Sequence, residues 1–364
     1  MAGVYVHVPF CHCKCAYCDF YSLARPDFIG GYSDALRREY AMRRHELGEL
    51  PVTTVYLGGG TPSMLDNGIV ADIASMIITA DTEEATIEAN PEDVTLEKAA
   101  AWRRAGFNRV SMGVQTLDDS ALRFLRRRHT AAEALKAIDT LRHAGFGNIS
   151  ADLIYGLPGQ SAPAFADSLR RLLDTGVEHL SAYILSYEPG TLMYRRLERG
   201  ECREVDDDTV AEMYALLCRT AADRGYEHYE ISNFALPGRH SRHNSAYWTR
   251  TPYLGLGPGA HSLDAAGLRR FQAPDIRAYI ASPAATLNEE PETAAEVAND
   301  TIMVSLRRVE GLRLNDLYAD AAARVLRQAQ QHIADGRLAR RDGALYIPES
   351  QWLMADYIIR DLML

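Results

Sequence analysis

The first half of the chain alternates short apolar, β-branched runs with longer amphipathic segments. The apolar runs predict six strands, at Val4–Val8, Thr53–Gly58, Ala85–Asn90, Arg109–Val114, Ile149–Tyr155 and His179–Ser186. The segments between them predict helices at Tyr32–Leu47, Asp66–Ala80, Leu96–Ala105, Ala131–Ala144 and Ala164–Thr175. This alternation is typical of βαβ units and a parallel sheet. The pattern therefore predicts an α/β fold with a partial (β/α)6 TIM-like barrel, whose chemistry belongs at the C-terminal ends of the strands.

The second half is less regular and predicts a small C-terminal helical module of the winged-helix type. A helix at Asp206–Arg224 begins with three aspartates, which suit a helix N-terminus. The glycine-, histidine- and aromatic-rich stretch 233–267 and a linker at 282–291 follow. The tail predicts helices at Thr293–Arg308, Ala319–Asp335 and Ser350–Met363, and a hairpin turning at Asp342-Gly343. We expect a core at 1–235, a connecting region at 236–290 and the module at 291–364.

Composition and charge exclude several classes of protein. The 364 residues are 47% hydrophobic and 24% charged, as in soluble globular proteins. The net charge is −10, and residues 291–364 hold nine Arg/Lys against eleven Asp/Glu, so we expect no nucleic-acid partner. The longest apolar stretch, Ile69–Ala80, contains Asp72 and is too short to span a bilayer. We expect a cytoplasmic protein with no integral membrane segment.

Four of the six cysteines lie between positions 11 and 18, directly after the first predicted strand. In a reducing compartment such clusters more often bind metal than form disulfides. The spacing Cys11-x3-Cys15-x2-Cys18 allows three thiolates to hold one iron–sulfur cube and leave one iron open. Two alternatives are a tetrahedral zinc site and a cube closed by Cys13 as fourth ligand. We favour Cys13 as a bystander and expect no function for the isolated Cys202 and Cys218.

This loop, together with Gly58-Gly59-Gly60-Thr61-Pro62 after the second predicted strand, resembles the radical S-adenosylmethionine (SAM) enzymes. Further motifs resemble the subfamily of oxygen-independent coproporphyrinogen III dehydrogenase: Tyr5-Val6-His7-Val8-Pro9-Phe10-Cys11, Ile87-Glu88-Ala89-Asn90-Pro91, Gly113-Val114-Gln115 and Asp152-Leu153-Ile154-Tyr155-Gly156-Leu157-Pro158. The resemblance covers essentially the whole chain. It implies a [4Fe-4S] cluster on Cys11, Cys15 and Cys18, with SAM on the open iron. One electron from the reduced cluster then cleaves the SAM sulfonium.

The same resemblance implies a set of residues around SAM. By motif position these are Tyr5, Tyr17, Gly59, Gly60, Thr61, Glu88, Gln115, Arg127 and Asp152. Tyr17 can stack on adenine, and Arg127 can bind a carboxylate. Glu88, Gln115 and Asp152 can accept hydrogen bonds from an amine or from ribose hydroxyls. The alternatives are packing for the two tyrosines and a solvated face for Arg127.

Within the subfamily, the chain resembles the HemW-type heme chaperones more than the dehydrogenase. Phe20 stands where the dehydrogenase has a fourth cysteine, and only ten residues precede Cys11. The heme-chaperone motif His-Asn-x-x-Tyr-Trp occurs at positions 243–248. The resemblance implies heme as cargo, a hemoprotein as acceptor and an electron donor such as flavodoxin or ferredoxin. The alternative is a dehydrogenase that decarboxylates coproporphyrinogen III propionates.

The resemblance also suggests a heme ligand. His243 can offer an imidazole to heme iron, and Tyr247 and Trp248 offer flat aromatic surface for a porphyrin. His240 and His261 are further candidates. The alternative is that His243 bonds to the backbone while the two aromatic side chains belong to the core.

Overall fold

A computed structural model describes residues 1–364 and confirms the predicted α/β class. The strands are β1 Ala2–Val8, β2 Val52–Gly59, β3 Glu84–Ala89, β4 Arg109–Gln115, β5 Ile149–Tyr155, β6 His179–Ile184, β7 Glu227–Glu230, β8 Asn233–Ala235, β9 Tyr253–Leu256, β10 His261–Leu263, β11 Arg269–Gln272, β12 Leu287–Glu290, β13 Leu312–Arg313, β14 Ala339–Arg341 and β15 Ala344–Tyr346. All six strands predicted for the first half are present, with boundaries within two residues of those expected.

Fourteen α-helices accompany the strands, and the predicted helices of both halves are among them. They are α1 Ile29–Arg43, α2 Asn67–Ile77, α3 Leu96–Arg104, α4 Asp119–Phe124, α5 Ala131–His143, α6 Ala162–Leu173, α7 Leu192–Glu198, α8 Asp207–Asp223, α9 Arg242–Trp248, α10 Ile276–Ala281, α11 Pro283–Thr286, α12 Ala294–Leu306, α13 Ala319–Ala334 and α14 Ala355–Leu362. Short 3-10 helices lie at Arg44–Leu47 and Glu349–Met354. The predicted helix over 350–363 is therefore a 3-10 turn followed by α14.

Strands β1 to β6 pair in sequence order, all parallel, and a helix follows each of β1 to β5 before the next strand. This is the partial (β/α)6 core. The apolar runs of the sequence form this core because the strands of a parallel sheet are buried on both faces, as these strands are. Their C-terminal ends therefore share one edge of the sheet, the edge at which the cysteine loop follows β1.

Residues 236–290 extend the main sheet. Strand β9 pairs in parallel with the free side of β1, and β10, β11 and β12 continue the sheet from there. The linker expected at 282–291 is wrong, because 283–286 form α11 and 287–290 form β12, which pairs antiparallel with β11. The expected division into three domains stays a prediction.

The C-terminal module contains α12, α13 and α14 with a three-stranded sheet in the order β13-β15-β14. The hairpin between β14 and β15 turns at Asp342 and Gly343, both with positive φ, as that dipeptide predicts. One hydrophobic core runs through both the barrel and this module. A second, small core of seven buried residues packs beside the cysteine loop and contains Ala16, Leu125, Ile154, Leu157, Leu185, Met193 and Cys202. No helix combines the length and the apolar character that crossing a membrane requires.

Candidate functional site

The loop after β1 brings Cys11, Cys15 and Cys18 to the wall of one cavity of about 510 Å³ at the C-terminal ends of the parallel strands. Backbone bonds fix this loop at both of its ends. The Cys11 N–H donates to the carbonyl of Leu23 at 3.1 Å, and the Ala16 N–H donates to that of Leu125 at 2.9 Å. The thiols are free of disulfides. The three sulfurs therefore share a fixed, partly buried pocket.

Burial and the neighbouring thiols disfavour charge on Cys11 and Cys18. Burial raises the pKa of Cys18 to about 11, with the neighbouring Cys15 and Cys11 adding to the shift. Burial also raises the pKa of Cys11. Two donors oppose this effect: Thr61 Oγ1 lies 3.4 Å from Cys11 Sγ, and Arg127 Nη1 lies 3.4 Å from Cys15 Sγ. A cationic metal group bound to the sulfurs would stabilise the thiolate form further and so lower the thiol pKa values.

Cys13 differs from the other three cysteines of the loop. Its side chain is exposed, and its sulfur lies 3.7 Å from the backbone carbonyl of Arg126. It borders the main cavity and also a small second cavity behind the loop, near His12 and Arg128. No side-chain donor comparable to Thr61 or Arg127 contacts it. Cys13 thus differs from Cys11, Cys15 and Cys18 in its greater exposure.

The glycine turn after β2 packs tightly against the start of the cysteine loop. Gly59 has a φ of +111°, which favours glycine. A Cβ added to Gly60 would lie 2.5 Å from the carbonyl oxygen of Phe10, so only glycine fits there. The Gly59 N–H donates to Oε2 of Glu88 at 3.0 Å. Thr61, Gly59 and Gly60 all face the cavity.

Two acidic side chains from β3 and β5 line the same cavity. Burial raises the pKa of Glu88 to about 7, partly offset by a hydrogen bond from the Tyr56 hydroxyl at 2.8 Å. Burial raises the pKa of Asp152 to about 6, partly offset by the hydroxyl of Ser181 and by Arg109. Each carboxylate raises the pKa of the other or of a neighbouring tyrosine. The site therefore presents negative charge that a bound cation or hydroxyl donor would stabilise.

Arg127 connects the cysteine loop with the strand ends. Its Nη2 donates to Oδ1 of Asn90 at 2.6 Å and to the carbonyl of Gly113 at 2.7 Å, while its buried Nε has no partner. Gln115 borders the same space, with a φ of +68° at a bulge between β4 and β5. An unpaired buried donor beside a polar cavity is a feature of a ligand site.

Several polar residues of the lining are not among the nine expected around SAM. Asn90, directly after β3, bonds both Arg127 and, at 3.2 Å, Thr61. Ser111 and Ser181 sit on the barrel interior beside Asp152. The sequence contains a sign of this role, because both are hydroxyl residues on predicted parallel strands. Ser111 lies on the strand before that of Asp152, and Ser181 lies on the strand after it.

Of the nine residues expected around SAM, the structure brings eight to the cavity wall: Tyr17, Gly59, Gly60, Thr61, Glu88, Gln115, Arg127 and Asp152. Tyr5 is the exception, and the expectation that it lines this space needs correction. Its hydroxyl bonds to His7 Nδ1 at 3.0 Å, and its ring packs near Tyr56. Tyr5 thus packs within the sheet on β1, beside Tyr56, which does line the cavity.

His243, which the sequence suggests as a heme ligand, is buried. Its side chain is 1% exposed, and its ring stacks on Tyr56 at 5.2 Å between centroids. Nδ1 bonds to Thr54 Oγ1 at 2.9 Å, and Nε2 bonds to the Tyr247 hydroxyl at 2.9 Å. Burial lowers the His243 pKa to about 3, so the ring is neutral. Both nitrogens are thus hydrogen-bonded inside the protein, and neither is free to face a ligand in this arrangement.

Asn244, the next residue of the same motif, reaches the main cavity, whereas His243 does not. Asn244 lines the main cavity, because adjacent positions of α9 point about 100° apart around the helix. His240 bonds to Glu227 at 2.8 Å and stacks on Tyr229, and the exposed His261 stacks on Phe271. Neither of these histidines lines the cavity. The motif therefore contributes an amide to the site.

The cavity has an apolar rim as well as a polar interior. Phe20 is 65% exposed, Ile184 49% and Tyr183 44%, and all three line the cavity. Phe20 belongs to the cysteine loop, whereas Tyr183 and Ile184 end β6. Large apolar side chains that remain this exposed beside a cavity indicate a surface that receives a flat apolar ligand or a protein partner.

Comparison with known proteins identifies the family. The radical SAM superfamily model matches residues 5–172. The heme chaperone HemW of Mycobacterium tuberculosis is 36% identical over 99% of this chain and 94% of its own length. HemW of Bacillus subtilis is 31% identical over 98% of each chain. The chain belongs to the HemW family of radical SAM proteins.

A solved structure agrees with this assignment at the level of the fold. Coproporphyrinogen III oxidase (HemN) from Escherichia coli superposes with a TM-score of 0.85 over 100% of this chain and 90% of its own, at 22% identity. The likeness includes the C-terminal module, since it covers the whole chain. The HemW family thus shares with that enzyme the radical SAM barrel, a fold associated with a [4Fe-4S] cluster and SAM.

Proposed function

We propose that this protein binds heme and transfers it to an acceptor hemoprotein, with a [4Fe-4S] cluster and SAM bound in the main cavity. The observation that carries the proposal is the apolar rim of Phe20, Tyr183 and Ile184 around a cavity lined by three free thiols. The heme chaperones at 31–36% identity support the choice of cargo.

The residues present fit the proposed cofactors. Cys11, Cys15 and Cys18 would hold the cluster, whose positive iron ions would stabilise the thiolate forms that burial disfavours at Cys11 and Cys18. When bound, the cluster would supply the electron that cleaves SAM. The unpaired Nε of Arg127 and the carboxylates of Glu88 and Asp152 offer complementary partners for the carboxylate, ammonium and hydroxyls of SAM.

The heme would lie on the rim, outside the cluster. Its macrocycle would cover Phe20, Tyr183 and Ile184, which are the large apolar side chains left exposed at this edge of the barrel. Lys14, on the same loop, is exposed beside Phe20, with Nζ 3.1 Å from the Phe20 carbonyl, and can attract a propionate. His243 takes no part in this arrangement.

Electron supply and location follow from the same proposal. Reduction of the cluster requires a donor, for which we propose flavodoxin or ferredoxin, and free clustered thiols are typical of a reducing compartment, for which we propose the cytoplasm. The acceptor is a hemoprotein lacking its heme. The net charge of −10 and the balanced charge of residues 291–364 argue against a nucleic-acid partner.

Anaerobic reconstitution with iron and sulfide, followed by two parallel assays, tests the proposal. We expect the protein to take up heme stoichiometrically and to release it to an apo-hemoprotein. The competing function is that of a dehydrogenase, which would convert coproporphyrinogen III to protoporphyrinogen IX anaerobically, with consumption of SAM and release of carbon dioxide. Detection of that conversion, or failure to bind heme, would overturn the proposal.

A further inference from the structure

A second group of metal-binding side chains lies away from the cysteine loop, where the C-terminal module meets the barrel. Cys218 comes from α8, His228 from β7 and Glu349 from the 3-10 helix that precedes α14. The sulfur of Cys218, a ring nitrogen of His228 and a carboxylate oxygen of Glu349 lie within 4.8 Å of one another. Three elements distant in sequence thus aim three different electron-pair donors at one point.

The contacts converge on a single atom. His228 Nδ1 lies 3.9 Å from Cys218 Sγ and 2.6 Å from Oε1 of Glu349. In a tetrahedral zinc site with Zn–S near 2.3 Å and Zn–N and Zn–O near 2.0 Å, the donor atoms lie roughly 3.3–3.6 Å apart. To reach those separations, the His228–Glu349 pair must open by roughly 0.7 Å and the His228–Cys218 pair must close by roughly 0.4 Å. Glu349 can make the larger movement, since its side chain is 57% exposed.

The His228 ring faces an acceptor at each nitrogen. Nδ1 lies 2.6 Å from Oε1 of Glu349 and Nε2 lies 3.4 Å from the backbone carbonyl of Ile231, so without an ion Nδ1–H donates to the carboxylate. An ion between Nδ1 and Glu349 would take the place of that proton, and the ring proton would then sit on Nε2, where the Ile231 carbonyl accepts it. Metal-binding histidines have this same arrangement, in which the distal N–H donates to a carbonyl.

Aromatic packing holds the ring in place. His228 stacks on Phe234 at 3.9 Å between centroids and meets the edge of Trp352 at 4.3 Å. The histidine side chain is only 8% exposed. Phe234 belongs to β8 and Trp352 to the 3-10 helix of the module, so both sides of the interface fix the ligand. A preformed geometry of this kind lowers the cost of binding an ion.

Charge balance supports a divalent cation. A thiolate, a carboxylate and a neutral imidazole together carry two negative charges, which one divalent ion neutralises. Binding would release the thiol proton of Cys218 to solvent.

We propose that Cys218, His228 and Glu349 form a second metal site, which takes a zinc-class divalent ion and fastens the C-terminal module to the barrel. Water would complete the coordination. The mixture of one sulfur, one nitrogen and one oxygen suits Zn²⁺ better than the hard ions Mg²⁺ and Ca²⁺. The site is independent of the heme and SAM functions proposed above.

Zinc binding to the cluster-loaded full-length chain tests this site. We expect elemental analysis after gel filtration to find one zinc per chain in addition to cluster iron. Cys218→Ser and His228→Gln should each lower zinc affinity at least tenfold. Glu349→Gln, at an exposed position that keeps the fold, should do the same. Cys202→Ser, a buried cysteine outside the site, is the matched control and should keep the zinc.

X-ray absorption at the zinc edge distinguishes this site from the cysteine loop. One sulfur with nitrogen and oxygen ligands supports the proposal. Several sulfur ligands would place the ion at residues 11–18 and overturn it. Hydrogen exchange gives an independent readout, because bound zinc should slow exchange of the amides at 349–362. A wild-type chain that takes up no zinc, or a Cys218→Ser variant that binds zinc as well as wild type, contradicts the proposal.

Discussion

Arg127 Nη1 lies 3.4 Å from the sulfur of Cys15, although the two residues are 112 positions apart in the chain. The contact places a permanent positive charge beside one of the three proposed cluster ligands. Hydrogen bonds and charges at the sulfurs tune the potential of an iron–sulfur cluster. The same guanidinium bonds Asn90, so it joins the cysteine loop to the end of β3.

Replacing Arg127 with methionine should make the cluster harder to reduce. Loss of a cation beside the thiolate favours the oxidised, less negative state, and we expect the midpoint potential to fall by about 60 mV, equivalent to a tenfold change for a one-electron couple. Anaerobic redox titration followed by electron paramagnetic resonance measures the shift. Arg128→Met, an exposed neighbour, is the control. An unchanged potential in Arg127→Met would mean that the contact does not persist when the cluster is bound.

The ligand assignment predicts an uneven response of the four clustered cysteines. Alanine at Cys11, Cys15 or Cys18 should abolish the visible absorption of the reconstituted cluster, because each removes one of three proposed iron ligands. Cys13→Ala should keep it, since Cys13 is exposed and lacks the Thr61 or Arg127 contact of its neighbours. Iron and sulfide analysis provides the measurement. Bleaching by Cys13→Ala alone would show that Cys13 is a ligand.

Glu88 should give the unliganded protein a pH-dependent stability. Its pKa rises from 4.5 in the unfolded chain to about 7 in the folded protein, so the folded state binds more protons between these values. The free energy of unfolding should therefore fall as pH increases from about 4.5 to about 7, by up to about 3 kcal/mol from this group. Urea unfolding across this range should show a smaller fall for Glu88→Gln. The exposed Glu198→Gln should match wild type; a Glu88→Gln curve parallel to wild type would contradict the shift.

His243 should prove to be a structural residue. His243→Ala removes the hydrogen bonds to Thr54 and Tyr247 and the stack on Tyr56, which should lower the free energy of unfolding by about 2–4 kcal/mol. The folded fraction should still bind heme with wild-type stoichiometry. Urea unfolding and heme titration measure the two effects separately. His261→Ala, at an exposed site, should change neither; loss of heme binding in folded His243→Ala would restore the histidine as a ligand.

The rim should govern heme affinity without affecting the cluster. Ile184→Asp places a charge where the proposal puts the porphyrin face, and desolvating it should weaken heme binding at least tenfold, or about 1.4 kcal/mol. Cluster iron should stay unchanged, because Ile184 ends β6 whereas the cysteines lie on the loop after β1. Leu353→Asp, equally apolar and 40% exposed on the C-terminal module, is the control. Equal heme affinity in the two variants would move the heme away from the rim.

Much of the barrel could be predicted from sequence because its strands are apolar on both faces and its helices carry clear caps. Thr130 and Glu133 form a capping box on α5, and Asp206 caps α8, where the run of aspartates indicated a helix start. The cavity lining was equally accessible, because residues at the ends of parallel strands converge. This is why eight of the nine expected SAM residues share one cavity.

The strands of residues 253–290 could not be predicted in the same way, because they are only three or four residues long and β11 and β12 carry charged residues. Arg269 lies opposite Glu290 and Arg270 opposite Glu289 across these two strands. Such pairs support a sheet only when both strands are already adjacent. A local pattern of charges indicates a loop, which is why 282–291 was expected to be a linker.

The direction of His243 was likewise hidden from the sequence. A helix of seven residues shows too little periodicity to tell which side chain faces the sheet. The direction of the Tyr5 side chain on β1 is equally hard to predict. A strand that is buried on both faces shows no alternation of polar and apolar residues. Only the packing of α9 against β2 decides that the imidazole contacts Thr54 and leaves Asn244 at the cavity.

The position of β1 has a consequence for biosynthesis. The strand that leads into the cysteine loop has β2 on one side and β9, made of residues 253–256, on the other. The ribosome must therefore translate through residue 256 before β1 gains its second neighbour. Iron and sulfide delivered earlier would meet a half-supported loop, so we expect cluster insertion only after β9 has been made.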